Sequence, residues 1–391
     1  MPTFIRKRLH ACWLIFLAVC LLAGWAAYLR QLECGFQVTG LSRQMSWGAY
    51  IAQFTFWVGV AAAAAVLTLP GRVHGCRPFA RAAVFGEGLA AAATGMSLLC
   101  VLVDLGRPQH LLNLILHPSP RSLMFWDMLV LAAYLSVNLI LVRATLTAER
   151  QDLPPPPWFR PLLTVSIGLA LSIHVVTALI YAGLPDRHYW LTALLAARFL
   201  ASAFSSGPAV LLLLLIAGRR LTGHDEASPL LPGLRLWIVY ALTLNLLFFG
   251  LESFTALYSG TDAGRLFALL AASPGPAALA ISFGLASVAA IILLAAPPFS
   301  RHPRSLIPAL CLAVAAAWLD KGPLLMLGGF TPDPFGAPIS YAPTLTELFV
   351  LLGIHAAGLL ILTELWRPLF LLRNNAPPAG QNRPEAASAS T

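Results

Sequence analysis

Charged side chains are scarce in this sequence. Of its 391 residues, 10% are charged and 58% are hydrophobic, and the mean hydropathy is +0.77. A soluble domain carries about 25% charged residues, so this protein has too little charge to cover its apolar core against water. The composition excludes an ordinary soluble domain and indicates that lipid surrounds much of the protein.

Closely paired cysteines are also lacking. The six cysteines are Cys12, Cys20, Cys34, Cys76, Cys100 and Cys311. None forms a CxxC pair, and four lie inside apolar runs, where cysteine usually packs as a small hydrophobic side chain. Iron–sulfur clusters and zinc sites use closely spaced thiolate ligands. We therefore expect neither kind of site in this protein.

No segment combines a basic stripe with interleaved aromatic residues, as a nucleic-acid-binding surface would. The formal net charge is +9, but the Arg residues fall in short loops between apolar runs. That distribution is typical of the excess of Lys and Arg on the cytoplasmic side of membrane proteins. The sequence predicts membrane lipid, and not nucleic acid, as a partner.

Apolar runs of roughly 20 residues dominate the sequence, which is the length that a membrane-spanning helix needs. Only helices and closed barrels span a bilayer, because lipid cannot satisfy backbone polar groups. We predict an all-α, polytopic membrane protein with ten spans in a single domain over residues 1–373. The predicted spans are 12–29, 47–69, 80–103, 123–146, 161–183, 190–216, 234–258, 275–296, 305–327 and 344–370.

The distribution of Lys and Arg predicts the orientation of the protein. Most of these residues fall inside if the N-terminus is cytoplasmic, and an even number of spans then puts the C-terminus inside as well. The basic start followed by a long apolar run predicts a retained signal-anchor helix in a bacterial inner membrane. Residues 374–391 are rich in Ala, Pro, Asn and Ser and are predicted to form a disordered cytoplasmic tail.

Ionisable side chains are costly inside a bilayer and mark candidate functional sites. Most of those in the predicted spans fall toward the outer side of the membrane. They are Asp104, His174, Glu252, Asp320 and Lys321. Glu252 is the strongest candidate on the sequence alone, because it lies within a span and has no adjacent basic residue. Glu87 and Glu364 are exceptions in the inner halves.

A quinone site needs such a set, because the head group has two oxygens to satisfy and its redox reaction moves two protons. His174, Thr177 and Tyr181 share one face of the fifth span at i, i+3 and i+7. A histidine can change charge near neutral pH. We take His174 as a candidate head-group ligand beside Thr177 and Tyr181, with Glu252 and Asp104 as candidate proton acceptors.

Structural interpretations compete with these assignments. Asp320 and Lys321 can form an ion pair, and Asp104 with Arg107 can pin an outer loop. A single histidine inside a helix bundle is often only packed and hydrogen-bonded.

The functional class also has alternatives. A b-type haem needs two axial histidines, and His174 and His355 are the two that lie well inside spans. A proton-translocating module without redox chemistry would use Glu87 and Glu364 to extend a path inward. A pure membrane anchor would use none of these groups.

Several segments in order resemble the NrfD/polysulfide-reductase family of membrane subunits. The most specific are DLGRP at 104–108 and RFLASAFSSGPA at 198–209. The stretches that carry the resemblance are 40–66, 102–131, 171–183, 197–209, 251–260, 319–336 and 341–349. Within the family, the sequence is most similar to the DsrP-type subunit of the dissimilatory-sulfite-reductase-associated membrane complex. It departs from the family pattern at His355, where related proteins tend to have an aromatic residue.

The resemblance implies a fold, a ligand and partners. The fold would be two four-helix bundles, from spans two to five and six to nine, plus flanking helices. The ligand would be menaquinone or ubiquinone, bound at the outer side, with no haem or cluster in this subunit. The partners would be a ferredoxin-like iron–sulfur subunit on the outer side, a multihaem cytochrome c and other membrane subunits. The matching polar positions are Asp104, Arg107, His174, Glu252, Asp320 and Lys321.

Overall fold

The computed structural model describes residues 3–375, except for 73, 185, 224, 301, 333–335 and 337–338. The described residues are mostly helical and contain no β-strand, which confirms the all-α prediction. Most of the predicted tail, 374–391, lies outside the described residues. Its first two positions, Asn374 and Asn375, belong to the last helix.

Ten helical segments of the described residues are long and apolar enough to cross a bilayer, as predicted. Their helices are α1 (Thr3–Cys34), α2 (Ala49–Val66), α3 (Arg77–Asp104), α4 (Leu123–Gln151), α5 (Phe159–Ala182), α6 (Leu194–Thr222), α7 (Leu231–Ser259), α8 (Pro274–Ala295), α9 (Pro303–Leu319) and α10 (Leu345–Asn375). The ninth span continues past α9 through a π-helical turn, Asp320–Leu324, and a last short helix, Leu325–Phe330.

Shorter helices cap or connect the long ones. Two are 3-10 turns, Gly35–Val38 and Pro108–His110. The others are α-helical: Thr68–Arg72, Leu111–Leu116, Asp262–Ala272 and Pro297–Ser300.

Proline and glycine mark several helix boundaries. α7 and α8 carry proline in their first turn, where the missing N–H has no intrahelical partner to lose. α6 and α7 stop at Gly223 and Gly260, whose φ angles are +82° and +64°. A residue with a Cβ is disfavoured in this left-handed region, so glycine allows the backbone to leave the helix there.

The long helices form two four-helix bundles. In the first, α2 packs against α3, α3 against α4, α4 against α5, and α5 back against α2. In the second, α6 packs against α7, α7 against α8, α8 against α9, and α9 back against α6. α2 joins the bundles by packing on α6, while α1 pairs with α10 and α10 lies on α3. The predicted grouping of spans two to five and six to nine is confirmed.

The connections define two ends of the molecule. The long-loop face carries the described residues of 35–48, 105–122, 183–193, 260–273 and 331–344, and Thr344 Oγ1 donates to Val38 O at 2.8 Å across it. The termini face carries the start of α1 and the described residues of 67–76, 152–158, 223–230 and 296–302. There Arg81 pairs with Glu226 at 3.0 Å. In the orientation predicted from Lys and Arg, the long-loop face is the outer one.

The outward surface of the helices is apolar, as lipid requires. On α1, Ile15 and Leu22 are 64% and 68% exposed, and on α8, Ile281 and Leu285 are 61% and 67% exposed. α2 is mostly buried because it contacts both bundles. The exposed apolar band therefore belongs to the rim helices, while the polar groups in the spans cluster inside.

Gly24 of α1 and Gly353 of α10 let the two flanking helices touch backbone to backbone. A Cβ built on Gly24 would lie 2.5 Å from the Gly353 Cα, which no side-chain rotation can relieve. Small residues at such crossings allow close approach, the main source of helix association in lipid.

We expect Gly24→Ala to destabilise the protein by about 1–3 kcal/mol, because the added methyl group overpacks this crossing. The measurement is the free energy of unfolding in detergent, followed by the helical circular dichroism signal during SDS titration. Gly168→Ala in α5 is the matched control, since nothing lies within 4 Å of a Cβ there. Equal effects of the two changes would contradict the assignment of this contact.

Candidate functional site

Arg198 lies at the centre of a buried ionic cluster in the second bundle. From α6 it donates one hydrogen bond to Glu252 of α7 and another to Asp320, the first residue of the π-helical turn. Asn245, two turns before Glu252 on α7, donates from Nδ2 to Asp320 Oδ2 at 3.0 Å. The Arg198 guanidinium also lies 5.0 Å from the ring centre of Phe249.

The side chains of Asp320 and Lys321, adjacent residues of the π-helical turn, point in different directions. Pro323 lies inside this turn, and proline cannot continue the regular hydrogen-bond ladder. Asp320 faces Arg198, whereas the Lys321 amine lies against α2, where a Cβ on Gly59 would be only 2.5 Å from Nζ. Lys321 Nζ also lies 5.3 Å from the ring centre of Phe199.

These contacts bear on two residues singled out in the sequence. Glu252 has no basic residue beside it in the sequence, but Arg198 of another helix is its partner in the fold. Asp320 and Lys321 were a candidate ion pair, but Asp320 pairs with Arg198 instead. Consecutive residues of a helix point to different sides, so adjacency in sequence made that pair geometrically unfavourable.

His174 is buried inside the first bundle. Its ring Nδ1 lies 3.1 Å from Ala170 O, which accepts the Nδ1 proton. Its Nε2 is then a lone-pair acceptor, and none of the described residues donates a hydrogen bond to it. The side chain is 1% exposed, so a ligand from the lipid cannot reach it without movement of the neighbouring helices.

The other two members of the predicted stripe on α5 have partners of their own. Thr177 Oγ1 donates to Asp127 Oδ1 of α4 at 2.8 Å. The Tyr181 hydroxyl lies 2.6 Å from Thr55 Oγ1 of α2, and either oxygen can donate. The three residues share the buried face of α5, but each one meets a different element.

Aromatic rings close the first bundle toward the long-loop face. Trp47 stacks on Trp190 with ring centres 5.5 Å apart and lies edge-on to Tyr181 at the same distance. Trp190 is fully buried, and its Nε1 donates to Leu325 O at 2.9 Å. Phe330 lies edge-on to Trp190 at 5.2 Å. This aromatic layer limits access from the aqueous side to the polar interior.

Asp104 and Arg107 do not pair in the structure. Arg107 is exposed, and no described carboxylate forms an ion pair with it. Asp104 Oδ1 is buried and has no hydrogen-bond partner among the described residues. Near it, Tyr50 donates its hydroxyl to Gln31 Oε1 at 2.5 Å, and Gln31 Nε2 donates to Val103 O at 2.9 Å.

Glu347 organises the loops of the long-loop face. Its carboxylate accepts hydrogen bonds from Gly40 N at 2.8 Å, Thr344 N at 2.8 Å and the Tyr341 hydroxyl at 2.6 Å. Burial, and then the bond to Glu347, raises the pKa of Tyr341, so this hydroxyl stays protonated and can donate. Since Tyr341 OH also accepts from Ala49 N, the first loop, the last loop and α2 are fixed together.

A polar column runs along the buried face of α4. Its members are Asp127, Tyr134, Asn138 and Thr145, all buried. They follow helical spacing and extend over about 27 Å at 1.5 Å per residue, close to the thickness of the hydrocarbon layer. At the end nearer the termini face, Thr145 Oγ1 lies 3.4 Å from Glu87 Oε2 of α3.

Neighbouring helices complete the column. Tyr134 donates its hydroxyl to Ala61 O of α2 at 2.9 Å, and Ser166 Oγ of α5 lies 3.5 Å from Asn138 Oδ1. Sequence reasoning missed Asp127, because it lies near the start of a predicted span. The seven-residue spacing from Asp127 to Tyr134 was the available signal.

A second polar group lies between α2, α9 and α10, and we call it the lateral patch: Gln53, Trp57, Trp318 and His355. Gln53 is buried, and Trp57 and His355 are half-buried. Trp318 is 39% exposed on the lipid side. His355 Nδ1 lies 2.6 Å from Leu351 O, so Nε2 accepts from Trp57 Nε1 at 3.3 Å and from Gln53 Nε2 at 3.1 Å. Trp318 Nε1 donates to Gln53 Oε1 at 2.9 Å. An axial role for His355 would require breaking these bonds.

Comparison with known proteins gives these features a family context. The family model described as "Polysulphide reductase, NrfD" matches residues 37–331. That range contains both four-helix bundles and leaves out the flanking helices α1 and α10.

Three similar proteins are components of reductases or oxidoreductases by name. A putative dimethyl sulfoxide reductase membrane subunit of Halobacterium salinarum is 26% identical, over 92% of this protein and 91% of its own length. The Hdr-like menaquinol oxidoreductase integral membrane subunit of Archaeoglobus fulgidus is 23% identical, over 89% and 90%. A component of the polysulfide reductase of Wolinella succinogenes is 27% identical, over 52% and 70%.

We expect Arg198→Met to destabilise the protein by about 3–5 kcal/mol, because it leaves two buried carboxylates without their cation. SDS titration of the purified protein measures the change. Arg265→Gln is the control, since Arg265 is 84% exposed beside Asp262 and should contribute less than about 1 kcal/mol. A small effect at Arg198, similar to that at Arg265, would show that the cluster does not hold the second bundle together.

Proposed function

This protein belongs to the NrfD polysulphide reductase family, and we propose that it is the quinone-reactive membrane subunit of an oxidoreductase complex. Its relatives carry the names of components of reductases or oxidoreductases, and one of those names specifies menaquinol. In the proposed reaction a quinol loses two electrons and two protons and becomes a quinone, or the reverse. The quinone would be menaquinone or ubiquinone.

The observation that carries the proposal is the lateral patch. A quinone reaches its site from the lipid, so the site needs hydrogen-bonding groups at the lipid-facing surface. Trp318 lies at that surface, and its hydrogen-bonded neighbours Gln53, Trp57 and His355 provide donors and an acceptor directly beneath it. The indole rings offer flat apolar surfaces for a head group. If Trp57 or Gln53 were displaced, the Nε2 atom of His355 could accept a hydrogen bond from a quinol hydroxyl instead.

The residues first chosen from the sequence lie further inside. Gln53 and Trp57 lie on one side of α2, while Thr55 and Gly59, on the opposite side, contact Tyr181 and Lys321. α2 therefore separates the lateral patch from the buried interior. His174, Thr177 and Tyr181 lie on the interior side of α2, away from the lateral patch. We propose that they transfer protons or modify the properties of the quinone site across α2.

The two acidic candidates take different roles in this proposal. Asp104 lies near the long-loop face with a buried, unpartnered Oδ1, and we assign it the role of proton acceptor. Glu252 forms an ion pair with Arg198, so we do not assign it the role of proton acceptor. Glu252 then acts electrostatically, together with Asp320 and Lys321, and Arg107 remains at the outer surface.

The long-loop face is the proposed docking surface for a ferredoxin-like iron–sulfur subunit. The short helix Leu111–Leu116 exposes Leu112, Ile115 and Leu116 there, at 55%, 63% and 67%. Exposed apolar groups at a polar rim are typical of interaction sites. A multihaem cytochrome c and other membrane subunits complete the proposed complex. In our proposal this face is the outer side of a bacterial inner membrane, both termini are cytoplasmic, and the DsrP-type link to sulfur metabolism remains a prediction.

We expect His355→Phe and Gln53→Leu each to weaken the binding of a quinone analogue by about tenfold, the effect of losing one good hydrogen bond to a ligand. Quenching of the intrinsic fluorescence of the purified protein measures the binding. His174→Ala and Glu252→Gln test the deeper residues, and Tyr240→Phe, on the lipid-facing side of α7, is the control. Binding unchanged in both patch variants of a folded protein would exclude the lateral patch as the head-group site.

Proton translocation is a second candidate function, and the polar column of the first bundle favours it. Asp127 and Glu87 lie toward opposite ends of this column, with the Tyr134, Asn138 and Thr145 side chains between them. Hydroxyl, amide and carboxyl groups can pass protons along such a series if water joins the gaps. This function does not need a quinone site, although the two could be coupled.

We expect Asp127→Asn to lower proton uptake by proteoliposomes containing the protein at least about tenfold, if the column carries protons. Ser136→Ala is the control, since Ser136 lies on the exposed side of the same helix. A pH-sensitive dye trapped in the liposomes, with an imposed potential as the driving force, gives the rate. Equal rates for wild type and Asp127→Asn would leave the column with a structural role only.

A further inference from the structure

Four buried side chains with polar oxygen atoms surround the axis of the second bundle, next to Arg198 on the side of the termini face. They are Ser202 of α6, Asn245 of α7, Ser287 of α8 and Asp320 of the π-helical turn that follows α9, and we call them the oxygen ring. Each is at most 4% exposed. Every corner of the bundle thus contributes one member.

Asn245 and Ser287 lie at the same level of the bundle. Phe249 of α7 and Phe283 of α8 meet edge-on, with ring centres 5.3 Å apart. The two helices run antiparallel, so four residues back on α7 and four residues onward on α8 both lead one turn toward the termini face, on the same sides of the helices. Those positions are Asn245 and Ser287, which therefore lie where the two helices meet.

Ser202 and Asp320 lie at this level too. The Arg198 guanidinium is 5.0 Å from the ring centre of Phe249, and Ser202 follows Arg198 by four residues, which is again one turn toward the termini face. Asp320 Oδ2 accepts a hydrogen bond from Asn245 Nδ2 at 3.0 Å. The four side chains therefore converge on one short stretch of the bundle axis.

Three oxygen atoms of the ring have no hydrogen-bond partner among the described residues. They are Ser202 Oγ, Asn245 Oδ1 and Ser287 Oγ. Because the Asn245 amide donates its Nδ2 proton to Asp320, its Oδ1 points away from that carboxylate. Buried polar atoms without a protein partner are rare, and a bound water or ion is a usual explanation.

The charge around the ring favours a cation over water. Arg198 pairs with both Glu252 and Asp320, which leaves one formal negative charge inside the bundle. The Lys321 amine does not offset this charge locally, because it lies against Gly59 of α2. An unbalanced charge is costly in the membrane interior. A monovalent cation would remove it, whereas water would leave it and a divalent cation would replace it with a positive one.

The π-helical turn also points to an ion. Single π-helical turns inside α-helices occur frequently at functional sites. In transporters, helices that are interrupted within the membrane help to coordinate Na⁺. Hard cations prefer oxygen ligands, and oxygen is what the amide and the two hydroxyl groups of the ring offer.

We propose that the oxygen ring binds one monovalent alkali cation, such as Na⁺. Asn245 Oδ1 and the hydroxyl oxygens of Ser202 and Ser287 would be its ligands, and Asp320 would supply the balancing charge. The cation would stabilise the packing of the second bundle. This site is separate from the lateral patch, and its occupancy does not depend on the quinone reaction.

The test measures the binding of radioactive Na⁺ to the purified full-length protein, with choline chloride keeping the ionic strength constant. We expect saturable binding that unlabelled NaCl displaces and choline chloride does not. Ser202→Ala and Ser287→Ala should each weaken it at least about tenfold, as losses around a metal site do. Each change removes a hydroxyl that forms no hydrogen bond with the described residues, so a purely structural role would leave binding unchanged.

Ser253→Ala is the control, because the Ser253 hydroxyl lies in the same bundle but donates to Phe249 O at 2.8 Å. As a second readout, NaCl should raise the Tm of the wild type and of this control more than that of the ring variants, since only an occupied site is stabilised. The circular dichroism spectrum of each variant confirms that its helices are intact.

The proposal is overturned if the folded wild type shows no saturable binding, which would indicate water in the ring. It is also overturned if both ring variants bind Na⁺ as the wild type does, or if choline displaces the ion as well as NaCl does. Displacement by KCl without displacement by choline supports an alkali-cation site, and the ratio of the two affinities gives its preference.

Discussion

The second bundle depends on one guanidinium held between two carboxylates inside a membrane. Arg198 joins α6 to α7 through Glu252 and to the end of α9 through Asp320. An unpaired charge at this depth would be costly, so the three helices are constrained to keep these groups together. Lys321 then extends the same group of charges to α2, where Gly59 leaves room for its amine. The formal charges of Arg198, Lys321, Glu252 and Asp320 sum to zero.

α2 is the structural link between this ionic cluster and the other polar groups. Its successive turns present Gln53 and Trp57 to α9 and α10, and Thr55 and Gly59 to the interior. The lateral patch is therefore separated from the buried charges by the width of one helix, α2.

The two faces of the molecule are organised by different interactions. On the long-loop face, Glu347 fixes neutral loop groups through hydrogen bonds to Gly40, Thr344 and Tyr341. On the termini face, Arg373 and Glu226 tie α10 to both bundles through ion pairs.

The sequence alone determined that lipid surrounds the protein and that ten helices span it, because the length and hydropathy of apolar runs depend only on local composition. It also showed which residues of one helix share a face. It could not show which other helix that face meets. Arg198 finds Glu252 and Asp320 across 54 and 122 residues of sequence, and Asp127 finds Thr177 across 50. Only the tertiary packing decided those partners, since helix periodicity orients a side chain but does not select its neighbour.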